Sequence, residues 1–331
     1  MAVGIRDVAR LAGVSVGTVS NTINRPQQVR PKTRRAVQEA IDELGFVPNQ
    51  SARVLSGVSA QVIGLVVPDV ASPFFMGVAK AVERAAGEVG HMVMLCNSGN
   101  EQASERRLLR MLAAQRVRGA LVTPAGAAQP ESAEDMPLVF LDHETGASDC
   151  SVSVDHFTGE RLAARHLLAL GHRRLAFVGG PARMWQMALR ARGARRELAA
   201  NGIDPAEALA EYTMPGFGIQ DGIAAAERML AGELPDGILC GNDMLAFGVY
   251  RGLARAGARV PEDVALVGYD DVDFAADWIV PLTTVRQPID ELGYRAATLL
   301  LEHTGQLPGG HEHRQERLLP ELIVRESSAV G

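Results

Sequence analysis

"GVSVGTVSNTIN", Gly13 to Asn24, admits two readings. Gly13 to Gly17 spells the Gly-x-Ser-x-Gly of a nucleophile elbow, which needs a strand inside a formed sheet to hold its serine in a strained turn. The residues before it are patterned differently. Ile5, Val8, Ala9 and Ala12 recur at i, i+3, i+4 and i+7, the apolar stripe of a short helix that Gly13 can end. Ser15 then caps a second helix, with Val19 and Ile23 facing inward and Gly17, Ser20, Asn21 and Asn24 on the other side. Pro31 suits the first turn of a third helix with Val37, Ala40, Ile41 and Leu44 as its stripe and Gly45 as its stop. The stretch is the turn and second helix of a three-helix helix-turn-helix unit, and the hydrolase reading falls.

Charge supports a polyanion-binding head. Residues 1–60 hold eight Lys or Arg against four Asp or Glu, a net +4 on a chain of −6 overall. With 331 residues and 47% hydrophobic content the chain can bury the cores of two or three domains. Arg6, Asp7 and Arg10 interrupt any secretory h-region and no charge-free run is long enough for a membrane span, so a cytoplasmic protein with no membrane partner is expected. Cys96, Cys150 and Cys240 are widely spaced with no C-x-x-C, which predicts reduced core thiols. "HEHR", His311–Arg314, lacks helical metal-pair spacing and reads as a solvated loop; no metal site and no cofactor is expected.

"IRDVARLAGVSVGTVSNTIN" followed by "VRPKTRRAVQEAIDELGFVPNQSARVL" resembles the DNA-binding head and hinge of the LacI/GalR family of bacterial transcription regulators, and the likeness continues to "LLPELIVRES". The sequence departs from the family at Asn21, where many members carry Arg, and at Arg30, where a Ser or Thr cap is usual.

Val16 and Gly17 open the second helix, where residues of a recognition helix reach base edges; Val16 is equally able to pack under the turn. Asn21, one turn on, can pair with adenine N6 and N7, while Thr18, Ser20 and Asn24 suit phosphate contacts. In the linker Pro48–Gln61, Ala52, Arg53, Val54 and Leu55 have too few neighbours for a stable isolated helix. The resemblance implies that this hinge, with Asn49, Ala52 and Arg53, folds on the operator and that Leu55 wedges into the minor groove.

Beyond residue 60 seven apolar runs, "VIGLVVP", "MVMLCN", "GALVTP", "LVFLD", "LAFVGG", "GILCG" and "VALVGYD", alternate with amphipathic stretches and read as buried parallel strands. The fold class is therefore α/β: a three-helix helix-turn-helix head on a two-lobed, doubly wound parallel core, periplasmic-binding-protein-like by resemblance. With the resemblance, the boundaries expected are head 1–47, hinge 48–59 and core 60–331, with lobe 1 at about 60–157 and 288–317 and lobe 2 at about 158–287 and 318–328.

Ligands of such sheets bind beyond the carboxyl ends of strands. The tails of the runs carry Phe74 and Phe75, Asp142 and His143, Asn242, and Asp270, residue types that suit sugar hydroxyls or nucleobases but also cap helices. For Asp270 and Asp271 the capping alternative is a helix over "DVDFAADW". The resemblance favours a binding role for these six and adds Phe217 as an aromatic wall; Trp185 is a stacking surface or core filling. Where many sugar-responsive members carry a pocket Arg this chain has Ala188, and Arg190 reads as structural.

The expected protein is not an enzyme. It is a homodimeric or higher-oligomeric repressor of a palindromic double-stranded operator, controlled by a small molecule, a sugar or sugar derivative, between the core lobes. The alternatives are a nucleobase or nucleoside effector and, without the basic head, a solute-binding protein.

Overall fold

The computed structural model describes residues 3–46, 61–126, 136–307 and 311–329, and the chain divides into two compact units at Ala60/Gln61. In the first unit α1 (Ile5–Leu11), α2 (Val16–Asn24) and α3 (Pro31–Leu44) close on a core of Val8, Ala9, Val19, Val37, Ala40 and Phe46. Gly13 and Gly45 take φ +65° and +60°, the left-handed region that lets a chain leave a helix without a Cβ clash. The Ser15 hydroxyl accepts the Thr18 N–H at 3.1 Å, the expected cap of α2. Arg30 supplies no capping side chain, and α3 starts on the preset φ of Pro31.

The second unit holds two six-stranded sheets. The first contains β1 (Val62–Val67), β2 (Met92–Asn97), β3 (Ala120–Val122), β4 (Leu138–Leu141), β5 (Cys150–Val154) and β11 (Gln315–Leu318), in the order β11-β5-β4-β3-β1-β2 and parallel throughout. The second contains β6 (Leu175–Gly179), β7 (Leu209–Thr213), β8 (Gly237–Cys240), β9 (Ala265–Asp270), β10 (Thr283–Arg286) and β12 (Glu321–Ile323), in the order β12-β10-β9-β8-β6-β7, with β12 alone antiparallel. The helices are α4 (Pro73–Glu88), α5 (Gln102–Ala114), α6 (His156–Ala169), α7 (Trp185–Ala200), α8 (Pro205–Ala208), α9 (Ile219–Leu230), α10 (Asp243–Arg255) and α11 (Ile289–His303). Among the described residues no helix is long and apolar enough to cross a membrane.

Each apolar run expected to be a strand is one, because a parallel sheet covered on both faces buries every side chain of its inner strands. One differs in setting: β2 is an edge strand, with Met92, Met94 and Leu95 exposed, and its Cys96 is only half-buried rather than a core thiol. Helices pack closely where glycine allows it. A Cβ on Gly193 of α7 would stand 2.5 Å from the Phe157 carbonyl oxygen of α6.

The chain passes from one sheet to the other three times: from β5 into α6, from β10 into α11, and from β11 to β12. α6 packs on β10, β12 and β8 of the second sheet, whereas α11 packs on α4 and on β3, β4 and β5 of the first.

Candidate functional site

Both sheets have their switch of winding direction beside the first strand of each series, and the chain beyond those strand ends lines one cavity of about 530 Å³, open solvent included. The first sheet contributes Asp69 and Ser72 after β1, Phe74 and Phe75 at the start of α4, Asn100 after β2 and Asp142 after β4. The second contributes Gln186 and Arg190 from α7, Phe217 after β7, Asn242 after β8, Asp270 at the end of β9 and Gln287 after β10.

Two carboxylates dominate its polar lining, each fixed by a residue at a crossing between the sheets. His156 lies Nε2 to Asp142 Oδ1 at 2.8 Å, and its Nδ1 is 3.2 Å from Arg190 Nη2. A guanidinium only donates, so Nδ1 is the acceptor and the proton sits on Nε2, donated to Asp142. Burial drives the His156 pKa down against the pull of Asp142, in keeping with that neutral tautomer. Asp142 also holds α7, because its carbonyl accepts from Trp185 Nε1 at 3.1 Å and Gln186 Nε2 at 2.9 Å. Across the cavity Gln287 Nε2 donates to Asp270 Oδ1 at 2.7 Å. Burial raises the Asp270 carboxyl to about 7, the nearby Arg190 charge offsetting only part of it. Arg190 is itself buried; it donates to the Gly241 carbonyl and lies over the Tyr269 ring at 3.5 Å.

Several lining residues keep polar atoms buried with no hydrogen-bond partner among the described residues: Asn100 Oδ1, Gln186 Oε1, Arg190 Nε and Gln287 Oε1. A buried polar atom left unpaired costs about 1–3 kcal/mol. The four residues that carry them line one cavity together with carboxylates and three phenylalanine rings.

Of the residues singled out in the sequence, Phe74, Phe75, Asp142, Phe217, Asn242 and Asp270 converge on this cavity. Asn242 also caps α10, accepting the Leu245 N–H at 2.9 Å, so both of its readings hold. His143 and Trp185 stand behind the lining, edge to face at 5.0 Å, with Trp185 tied to the Asp142 carbonyl. The capping alternative for Asp270 and Asp271 is overturned: the turn Asp273–Ala275 has no side-chain cap, and Asp271 pairs with Arg286 and Arg325 at 2.6 and 2.7 Å. Arg190 is structural as expected, yet it also lines the cavity. Sequence reasoning missed Asn100, Gln186 and Gln287; the i, i+4 spacing of Gln186 and Arg190 on the helix after β6 was the available signal.

In the head, Val16 is 42% exposed, which overturns its packing under the turn, and Gly17 and Asn21 share that exposed side of α2. Thr18 and Ser20 are half-buried; the Thr18 hydroxyl meets that of Ser15 at 2.9 Å, and Asn24 ends the helix. Arg6, Arg25, Arg30, Lys32, Arg34 and Arg35 are exposed. Asn49, Ala52, Arg53 and Leu55 lie outside the described residues.

The solvated-loop reading of 311–314 also fails in part. His311 is half-buried, its ring stacked flat on His303 with centroids 3.9 Å apart.

Comparison with known proteins accounts for both units. Residues 4–49 match bacterial regulatory proteins of the lacI family, and residues 164–328 match a periplasmic binding protein-like domain. The HTH-type transcriptional repressor PurR of Haemophilus influenzae (strain PittEE) is 33% identical over 98% of each chain. The ribose operon repressor of Escherichia coli (strain K12) is 33% identical over 98% of this chain and 99% of its own. The crystal structure of the Lac repressor dimer bound to operator and the anti-inducer ONPF superposes with TM-score 0.86 at 30% identity, covering 100% of both chains. A LacI family regulator from Enterococcus faecium with bound ribose gives TM-score 0.72 at 30% identity over 81% of this chain and 98% of that one.

Proposed function

The chain belongs to the LacI family, whose members matched above are DNA-binding transcriptional repressors and not enzymes, and from that premise we propose that it represses a palindromic operator as a homodimer under the control of a sugar or sugar derivative bound between Asp142 and Asp270. The observation that carries the effector reading is the pairing of two buried carboxylates, one from each sheet, in a cavity whose amides and guanidinium have unpaired polar atoms. A carboxylate accepts two hydroxyl donors at once, and aromatic rings such as Phe74, Phe75 and Phe217 cover the apolar face of a sugar ring.

The same amides and rings favour a second reading, a nucleobase or nucleoside, because Asn100, Gln186 and Gln287 each offer both a donor and an acceptor for a base edge. Homodimerisation is supported by the exposed apolar edge of β2, which no strand pairs among the described residues and which a folded protein normally covers. In this reading residues 1–47 are the head and 48–59 the hinge. The core lobes are about 60–157 with 288–317 and 158–287 with 318–328. Val16, Gly17, Thr18, Ser20, Asn21 and Asn24 meet DNA from α2. Asn49, Ala52, Arg53 and Leu55 do so from the hinge.

The test is calorimetric titration of the intact protein with pentoses, hexoses, their phosphates and nucleobases, followed by operator binding with and without whatever binds. A sugar that binds and changes operator affinity, with both effects lost in Asp142→Ala, is the expected result. Binding by a nucleobase alone replaces the first reading with the second, and binding that survives Asp142→Ala removes the cavity from the account.

A further inference from the structure

A second cluster of chemically distinctive side chains lies away from the cavity, at the edge of the first sheet. Cys150 opens β5 fully buried, and its Sγ is 3.3 Å from His311 Nε2 and 3.3 Å from His313 Nδ1. His303, the last residue of α11, stacks on His311 with the rings 4° from parallel, and stands edge-on to His313 at 5.3 Å between centroids. One donor atom each from Cys150, His303 and His311 can be chosen so that all three lie within 4.8 Å of one another.

Ordinary packing accounts poorly for this arrangement. Among the described residues, three imidazoles and a thiol meet with no carboxylate bonded to any of the rings, and Nδ1 of both His303 and His311 is buried with no hydrogen-bond partner. The neighbouring Arg314 is committed to Glu302 at 2.7 Å and Glu316 at 3.0 Å, so it does not leave the cluster positively charged. Tetrahedral coordination with metal–sulfur near 2.3 Å and metal–nitrogen near 2.0 Å puts sulfur and nitrogen about 3.5 Å apart, close to the two contacts made by Cys150.

We propose that Cys150, His303 and His311 form a site for a divalent transition metal of the zinc type, the stacked rings turning to aim one nitrogen each at the ion and His313, which meets Cys150 Sγ but lies outside the set of mutually close donors, closing in as the fourth ligand; the metal fastens the end of α11 and the approach to β11 onto the start of β5. One thiolate among imidazoles is a borderline-soft donor set, which selects zinc or cobalt over magnesium or calcium. The Cys150 thiol gives its proton to solvent as the metal–sulfur bond forms.

The test is a titration of untagged, chelator-treated, reduced full-length protein with Co²⁺, followed by absorption. The expected result is one Co²⁺ per chain with the intense visible bands of tetrahedral cobalt and a near-ultraviolet thiolate-to-cobalt band, all bleached by Zn²⁺. Cys150→Ser loses the near-ultraviolet band, and His311→Asn and His313→Asn each weaken binding by at least about tenfold. These two histidines are half-buried or exposed, so their metal-free variants melt with the parent. Weak octahedral bands with no thiolate transition overturn the proposal. So does Co²⁺ binding that is equal in the parent and in the two histidine variants.

Discussion

Asp270→Asn is expected to make the protein more stable while weakening its hold on the effector. The carboxyl ordinarily titrates at 3.8 and burial raises it to about 7 in the folded chain, so folding favours the protonated form. Wild-type stability is therefore greatest where both states are protonated, declines as pH rises from about 4 to 7, and stays low above that. At 1.36 kcal/mol per pH unit the penalty reaches about 4 kcal/mol at pH 8 and about 1.5 kcal/mol at pH 5. Asparagine has no charge to bury, its Oδ1 still accepts from Gln287, and it tolerates the positive φ of 111° that Asp270 adopts. The variant's advantage should thus grow by about 2.5 kcal/mol between pH 5 and pH 8, or about 5 °C in melting temperature for a unit of this size. The same change exchanges one acceptor oxygen for a donor and should cost effector binding about 1.5–3 kcal/mol, the range for hydrogen bonds to a charged group. Melting curves at the two pH values, without ligand, are the assay. An advantage of equal size at pH 5 and pH 8, or a variant that melts below the parent at pH 8, refutes the reasoning.

Three further outcomes are expected. Gly193→Ala, which sets a Cβ against the Phe157 carbonyl at 2.5 Å, should force α7 off α6 and cost about 1–3 kcal/mol in denaturant unfolding, whereas parent-like stability would show that the helices slide freely. Asn21→Ala should change base preference at one position of each half-site by about 1–3 kcal/mol with nonspecific affinity kept, read by binding to a randomised duplex pool. Removing residues 1–60 should abolish DNA binding while calorimetry still detects effector binding by the remainder, which forms its own compact unit. DNA binding that survives the truncation places the DNA site elsewhere.

The helix-turn-helix was legible from short-range rules alone: the stripe of Ile5, Val8 and Ala9, the Ser15 cap and two glycines each act within a turn or two of chain. Strand recognition worked where the run is continuously apolar, as in Val62–Val67, and failed for β5, β7, β10, β11 and β12. "CSVSV" and "TTVR" carry polar residues that the fold buries with hydrogen bonds, such as Thr284 to Asp243 at 2.6 Å, and "QERL" and "ELI" are short outer strands. Missing β10 meant missing Gln287, which follows it. Asn100, Gln186 and Arg190 were obscured for another reason: they lie past the strand tip or a turn into a helix, where composition does not separate pocket from surface. The meeting of Cys150 with His303, His311 and His313 joins positions more than 150 residues apart, and no local spacing encodes it.

The three passages between the sheets are the covalent straps that tie one half of the core to the other. Two of those straps hold the cavity's carboxylates, since His156 stands at the start of the first and bonds Asp142, while Gln287 lies within the second and bonds Asp270. A molecule that redistributes charge on either carboxylate is therefore expected to act on a strap as well as on the cavity wall.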